Sequence, residues 1–328
     1  MTDAAPALAA ADDSFHPYGR DPFWQESWYF DWHSDDGAMA GFARQGFYPN
    51  LGELWFWLYL FLPGRVVAVR DHSVPLADRW GRFEHRTHGL WWDFRPQEPL
   101  SAWSLQAEAF GVGVDAPSDL IDGEVGQPTP VGLDISFEAL APPYRWVAAA
   151  GTPQDDDGTA TSRFEQFGAW SGDVLVGDET FHLDGRGERD HSWGRRDWWT
   201  APWVYTAFNT GPEFALHSAG ADIPGFDAAD GYVWSDGSLR RITRFAKDTT
   251  YDEQRMPVTA SYVYEDEGGA TYEVAVTADA IVPVPIEERP GATGPTLFRR
   301  GPATFVVDGR SGHGDIEYNT PLKGPFAR

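Results

Sequence analysis

The sequence of 328 residues contains no cysteine. A disulfide, a thiol nucleophile and a cysteine metal site are therefore excluded, and the fold needs no oxidising compartment. Positive charge is scarce too, because 25 Lys and Arg stand against 50 Asp and Glu, which gives a formal net charge of −25. A chain this acidic is repelled by nucleic acid and by anionic membranes. Neither is an expected partner.

Long hydrophobic runs are also missing. The longest, residues 54–62, is too short to cross a bilayer as a helix. The first 16 residues are rich in alanine and acidic groups, and they lack the basic start and continuous apolar run of a signal peptide. We therefore expect residues 1–15 to be a disordered leader, the protein to be cytoplasmic, and membrane insertion not to be stable.

Several catalytic signatures are absent. The chain has no HExxH sequence, no phosphate-binding loop and no GxSxG elbow. We predict no cofactor and no metal, and nucleotide chemistry and serine acyl transfer have no support. The alternative is a metal site formed by histidines that lie apart in the sequence and come together in the fold. The candidates are His72, His85, His88 and His191. The sequence gives no indication of the oligomeric state.

Aromatic residues and strand patterns are abundant. The chain holds 16 Trp, which suit either a packed core or an aromatic-lined cavity. Residues 54–62 place four aromatic rings on one face of a strand and apolar side chains on the other, so both faces should be covered. Four hairpins are predicted further along, within residues 173–183, 203–217, 232–245 and 258–277. Short strands at this spacing predict an antiparallel sandwich or barrel.

Two polar stretches rich in Gly or Pro, residues 111–130 and 151–161, could be linkers. The chain is long enough for two domains. With the boundary placed in the second stretch, the predicted domains are residues 16–155 and 156–328.

The segment Gly185–Trp199 is the strongest candidate site, because it packs ionisable groups between glycines and tryptophans. Burying such groups is costly unless they pair or change protonation state. Gly185 and Gly187 would permit a tight or φ-positive backbone. On a strand, Asp190 and Ser192 would share a face, with His191 on the opposite one. The alternative is a buried salt-bridge network that joins two domains.

Three further clusters combine carboxylates with rings. Glu26–His33 alternates so that Glu26 shares a face with three aromatic rings. The other two clusters are Phe164–Phe167 and Trp91–Phe94. In each case the alternative is an inner strand whose carboxylate is paired.

The segments Glu26–Phe30, Phe164–Phe167 and Asp184–Trp198 resemble the signatures of an uncharacterised bacterial family. That family is related to carotenoid 1,2-hydratase, kievitone hydratase and tocopherol cyclase. The resemblance covers roughly residues 20 to 320. It implies an all-β fold of two tandem lipocalin-like (calycin) antiparallel barrels packed together, with a ligand cavity at or near their interface. It also implies a hydrophobic, isoprenoid-like or polycyclic small-molecule substrate.

The resulting hypothesis is an acid-catalysed hydratase, cyclase or isomerase that acts on an alkene. Burial can raise a carboxyl pKa by ~3–5 units and so keep it protonated. Asp190 is the expected proton donor, with His191 orienting it or relaying protons. A neighbouring arginine would lower the pKa of Asp190 and make Glu26 or Glu165 the better acid.

Supporting roles fall on the residues around this acid. Arg189, Arg196 and Asp197 would hold the loop. Substrate contacts, including cation–π stabilisation of a carbocation, are expected from nine rings: Trp28, Tyr29, Trp55, Trp57, Trp91, Trp193, Trp198, Trp199 and Tyr205. Two alternatives need no proton donor: a non-catalytic lipocalin-like carrier of a lipid or terpenoid, and a pericyclase that holds a polyene in a reactive conformation.

Overall fold

The structure, a computed structural model, describes residues 8–121, 126–146 and 161–327. Within these residues the regular structure consists of strands and two short 3-10 helices, Ala10–Asp13 and Pro117–Leu120. The strands are β1 Trp24–Ser34, β2 Ala40–Tyr48, β3 Glu53–Leu62, β4 Arg65–Pro75, β5 Glu84–Thr87, β6 Leu90–Glu98, β7 Ala102–Val114, β8 Gln127–Ala139, β9 Tyr144–Arg145, β10 Ser162–Val176, β11 Glu179–Arg195, β12 Trp203–Asn209, β13 Phe214–Ala221, β14 Ala229–Ser235, β15 Ser238–Tyr251, β16 Pro257–Asp266, β17 Thr271–Ala278, β18 Val282–Ile286, β19 Thr296–Val307 and β20 Arg310–Pro321.

The first sheet is a closed antiparallel barrel. Its strands follow the order β4-β3-β2-β1-β11-β10-β8-β7, and β4 also pairs with β7, so the path returns to its start. β6 and β5 extend this sheet beyond β7, and β9 pairs with β10. Closure satisfies the strand edges that an open sheet would leave unpaired.

The second sheet closes in the same way. Its order is β17-β16-β15-β14-β13-β12-β20-β19, with β17 also pairing with β19 and β18 added beside β19. The prediction of an all-β protein with two lipocalin-like barrels is therefore confirmed. All four later hairpins are confirmed as well: β10–β11, β12–β13, β14–β15 and β16–β17.

The interior of the first barrel is filled by aromatic and aliphatic side chains. On β3, for example, every second residue from Leu54 to Leu62 belongs to the core cluster. The opposite face of β3, which carries Trp55, Trp57 and Tyr59, is buried as well. Coverage of both faces was the expectation from the sequence. The second barrel has its own core, which includes Phe208, Phe245 and Phe305.

The chain divides into two compact units, Met1–Gly113 with Gly126–Arg196, and Val114–Val125 with Asp197–Arg328. This division differs from the domain boundary between residues 155 and 156 that was predicted from the sequence. The reason is that β10 and β11 complete the first barrel by pairing with β8 and β1. The linker expected at residues 151–161 lies, except for Thr161, outside the described residues.

The leader expected at residues 1–15 is ordered over its described part. Residues 1–7 lie outside the described residues. Ala10–Asp13 forms a 3-10 helix, Asp13 is buried, and Phe15 packs against the first core. The expectation of disorder was wrong for residues 8–15, because composition alone does not reveal that Asp13 has a buried partner.

No helix in the described parts of the chain has the length and apolar character needed to cross a bilayer.

Candidate acid–base site

Three neighbouring strands of the first barrel bring the site together. On β11, His191 lies opposite Trp28 of β1 and opposite Phe164 of β10. Glu26 lies two residues before Trp28, on the same face of β1. The pairing of β1 with β11 therefore places an imidazole and a carboxylate from distant parts of the sequence next to each other.

A third group comes from the segment before β1. Glu26 Oε1 lies 2.9 Å from His191 Nε2 and 2.6 Å from His16 Nδ1. The backbone N–H of His16 also donates to Glu26, 3.0 Å from Oε2. Glu26 and His191 side chains are fully buried, whereas the side chain of His16 is 19% exposed. His16 is therefore the member of the cluster that reaches solvent.

The hydrogen bonds of His191 require an additional proton. Its Nδ1 lies 2.9 Å from the carbonyl oxygen of Asp12, which only accepts, so Nδ1 donates. Its Nε2 faces Glu26 Oε1, which also only accepts when the carboxylate is ionised. A proton must therefore lie between Nε2 and Oε1, and the pair is either imidazolium–carboxylate or imidazole–carboxylic acid.

Burial would raise the pKa of Glu26, but the hydrogen bonds from His16 and His191 outweigh it, and the net direction is down. This favours the ionised form of the Glu26 carboxylate. The mechanism expected from the sequence, a carboxyl kept neutral by burial, is wrong in direction for Glu26.

Aromatic rings surround the cluster. Trp28 stacks on His191 with ring centroids 4.3 Å apart, and Phe164 meets the same ring edge-on at 5.6 Å. Trp193 stacks on His16 at 3.9 Å with an interplanar angle of 7°. Stacked indoles stabilise a cationic imidazole through their π faces.

Asp190 and Glu165 lie opposite each other on β11 and β10, one residue away from His191 and Phe164. Alternation along each strand therefore turns them to the other face of the sheet. Arg163 forms ion pairs with both, and its Nη2 lies 2.7 Å from Asp190 Oδ2. A neighbouring arginine was expected to make Asp190 the weaker candidate acid, and Arg163 is such a neighbour.

Arg189 supports the site from inside the barrel. Its guanidinium forms a fully buried ion pair with Asp13, with Nη1 2.9 Å from Oδ1. Gln166 accepts from Arg189 Nε at 2.9 Å. This ion pair fixes Asp13 beside Asp12, whose carbonyl orients His191.

Gly185 and Gly187 act differently from the expectation of a tight or φ-positive turn. Both lie inside β11, and neither has a positive φ. A Cβ at Gly187 would stand 2.1 Å from the carbonyl oxygen of Asp31, and one at Gly185 would stand 2.1 Å from that of His33. The glycines allow β1 and β11 to approach closely.

Other rings expected to contact substrate lie apart from this cluster in the first unit. Tyr29 is on the opposite face of β1 from Trp28, and its hydroxyl donates to Asp31. Trp55 stacks on His72, and Trp57 donates to His72 from the same face of β3. Trp91 donates to Glu84 and is half-buried.

The remaining expected residues lie near residue 196 or in the second unit. The backbone N–H of Arg196 donates to the carbonyl of Phe23. Asp197 accepts hydrogen bonds from the N–H groups of Trp199 and Thr200. The rings of the second unit have these contacts: Trp198 with Trp203 and Phe298, Trp199 with the carbonyl of Glu287, and Tyr205 with His217 and Arg300.

Sequence reasoning missed Asp12, Asp13 and His16. They lie in a segment whose composition is that of a disordered leader, and no motif marks them. An aromatic residue and a histidine at the end of an acidic stretch, Phe15-His16, are the sole local signal.

His16, Glu26 and His191 each offer one ligand atom, and these atoms lie within 4.8 Å of one another. Ligand atoms at 2.0–2.2 Å from a tetrahedral zinc stand about 3.4 Å apart. The 2.6 Å separation of His16 Nδ1 and Glu26 Oε1 is that of a hydrogen bond. The arrangement fits proton transfer better than metal ligation.

The fold and the site define a lipocalin-like protein of two barrels with a buried carboxylate–imidazole cluster in the first. The chain belongs to the DUF7064 family, a domain of unknown function, whose model matches residues 9–322. A search of curated proteins gave no match.

Solved structures share the two-barrel fold. A protein provisionally assigned as AttH from Nitrosomonas europaea is 16% identical with a TM-score of 0.61, over 96% of this chain and 97% of that one. Kievitone hydratase from Nectria haematococca is 11% identical with a TM-score of 0.55, over 97% and 94%. CghA is 13% identical with a TM-score of 0.53, over 92% and 89%. At these identities the similarity is one of fold.

Proposed function

We propose that this protein is an acid–base enzyme of the hydratase, cyclase or isomerase type, acting on an alkene of a hydrophobic, isoprenoid-like small molecule. The observation that carries the proposal is the buried His191–Glu26 pair. Its hydrogen bonds require one proton more than a neutral imidazole and an ionised carboxylate hold together. A proton held in a dry, hydrogen-bonded pair is available for transfer to a substrate.

The proposed proton path runs from His191 through Glu26 to His16. Glu26 Oε1 contacts both imidazoles, and His16 is partly exposed beside the half-buried Trp193. A substrate lying against these two rings would receive the proton from His16. In the same step, His16 would give up the proton on Nε2 while its Nδ1 takes a proton from Glu26 Oε1, and Glu26 Oε1 would take one from His191 Nε2.

The chemistry balances without any further reactant except water. The proton adds to one alkene carbon, and the neighbouring carbon becomes cationic. In hydration, water bonds to that carbon and its proton returns to the cluster. In isomerisation, the cation loses a different proton to the cluster. In cyclisation, a second alkene attacks the cation, and the new cation that results loses a proton to the cluster. An indole face stabilises such a cation by roughly 0.5–2 kcal/mol.

The fold similarity supports the choice of reaction class, because one of the proteins sharing the fold is named as a hydratase. Asp190 has a different role in this proposal. Its ion pair with Arg163, on the face opposite His191, makes it a structural group rather than the proton donor.

The test is incubation of the purified protein in D₂O with a panel of geraniol, linalool and a prenylated phenol. Mass spectrometry of the recovered compounds detects deuterium incorporation and any added water. Glu26→Gln and His191→Asn should each lower the rate by about 10²-fold or more. Asp190→Asn, matched in chemistry to Glu26→Gln, should retain activity if it folds, and activity should survive a chelator.

Loss of activity in Asp190→Asn with retention in Glu26→Gln would contradict the assignment and restore Asp190 as the acid. Recovery of unchanged ligand without deuterium, despite saturable binding, would favour the carrier instead. A rate that is independent of pH and survives both substitutions would favour a pericyclase.

A further inference from the structure

One end of the second barrel contains a polar group of side chains that the proposed reaction does not use. At this end β13, β15 and β20 finish and β16 and β19 begin. Arg299 of β19 lies opposite Tyr318 of β20, and Tyr318 belongs to the inner core of the barrel. The guanidinium is therefore directed toward the interior at this end.

Arg299 is almost fully buried, with an exposed fraction of 5%. Its two terminal nitrogens donate to neutral acceptors, the carbonyl of Arg255 and the hydroxyl of Thr320. Its Nε has no hydrogen-bond partner among the residues that the structure describes. A buried cation whose contacts are neutral and incomplete is costly unless an anion joins it.

The neighbouring groups also favour an anion. Burial lowers the pKa of the Arg299 guanidinium, and the positive charge of Arg255 acts in the same direction, whereas Tyr251, Tyr318 and Asp222 oppose it. Lys247 lies on β15 four residues before Tyr251, on the same face of the strand. The Asp222 carboxylate favours the charged form of both Lys247 and Arg299, and so acts to raise the pKa of each. Asp227 also acts on Lys247, so the cation at this end that an anion would pair with is Arg299, whose terminal nitrogens donate to neutral acceptors.

The walls of this end are phenol rings and hydroxyl groups. The Arg299 guanidinium lies 5.7 Å from the ring centre of Tyr251 and 5.9 Å from that of Tyr318. The Tyr318 hydroxyl also bonds to Tyr262 and to Thr249. Tyr251 is 41% exposed and offers an apolar ring at the surface of this end.

From this arrangement we infer that this end of the second barrel binds the carboxylate of an amphipathic small molecule. Arg299 Nε–H donates to one carboxylate oxygen, and the apolar part of the ligand lies against the Tyr251 ring. A planar carboxylate matches the fork geometry of a guanidinium, which a spherical anion does not. The site lies wholly within the second unit and is independent of the proposed catalytic cluster.

The experiment is isothermal titration of the full-length protein with octanoate, with octanol and phosphate as comparison ligands. Octanoate should bind saturably at one site, while octanol, which has the same chain and no charge, should bind at least about 10-fold more weakly. Arg299→Met, which conserves volume, should weaken octanoate binding by at least about 10-fold. Arg310→Met, which removes an exposed arginine beside Phe214, should leave the affinity unchanged.

Thermal denaturation of the unmodified protein keeps the proposal testable if Arg299→Met does not fold. Octanoate should then raise the melting temperature and octanol should not, because binding to the folded state alone is stabilising. Equal binding of octanoate and octanol, tighter binding of phosphate, or full octanoate affinity in Arg299→Met would each overturn the inference. Activity in the D₂O assay is a separate readout, so failure of either proposal is distinguishable from failure of the other.

Discussion

Replacing Asp13 with alanine should lower the free energy of unfolding by about 3–5 kcal/mol, because it leaves Arg189 buried without its carboxylate. Both side chains are fully buried, so water cannot replace the lost partner. The loss would be a large share of a typical stability of about 5–15 kcal/mol.

The magnitude follows from the contacts of Asp13. Its carboxylate accepts from Arg189 Nη1 at 2.9 Å, from the Leu100 N–H at 2.7 Å and from Trp103 Nε1 at 3.2 Å. Hydrogen bonds to a charged group contribute about 1.5–3 kcal/mol each. Gln166 still accepts from Arg189 in the variant, at 2.9 Å from Nε. The net loss is therefore smaller than the sum of the bonds removed.

Urea unfolding followed by tryptophan fluorescence measures the change. Asp173→Ala is the matched control, because Asp173 is 64% exposed in its pair with His182, and it should change stability by less than about 1 kcal/mol. Adding Arg189→Met to Asp13→Ala should recover about 2 kcal/mol or more, since it removes the unpaired charge. A loss below about 1 kcal/mol in Asp13→Ala, or no recovery in the double variant, would refute the argument.

Two further predictions concern His85 and Gly187. Burial lowers the pKa of His85 to about 4. As the pH falls, this histidine is therefore protonated in the unfolded chain before it is protonated in the folded protein. Lowering the pH from about 6.5 to 4 should reduce the free energy of unfolding by up to about 3 kcal/mol. His85→Gln should flatten that part of the stability–pH profile, and an unchanged profile would count against the argument. Gly187→Ala should destabilise by about 1–3 kcal/mol, because its Cβ would stand 2.1 Å from a backbone oxygen. Gly268→Ala, where the nearest atom is 3.2 Å away on a side chain, should lose less in the same thermal denaturation, and equal losses would contradict the steric explanation.

The fold was readable from local patterns. Alternation over residues 54–62 predicted a strand covered on both faces, and the hairpin turns predicted antiparallel neighbours, because both signals depend on nearby residues. The assignment of β10 and β11 to the first barrel could not be read in this way. It depends on the pairing of β1 with β11, across more than 150 residues.

The candidate site was partly predictable. Alternation correctly separated His191 from Asp190, and the sequence identified Glu26 and Arg189 as groups that need partners. The partners themselves, His16 for Glu26 and Asp13 for Arg189, come from a segment that composition marks as disordered. Composition reports whether a segment can form its own core and says nothing of a single side chain inserted into another core.

The pairing of β1 with β11 has a consequence for synthesis of the chain. Strands β1 to β4 leave the ribosome early, but Glu26 cannot form its hydrogen bond with His191 until that residue, 165 positions later, has been synthesised. Until then the β1 edge is open to other strands. We therefore expect nascent chains stopped before β11 to depend on chaperones for solubility.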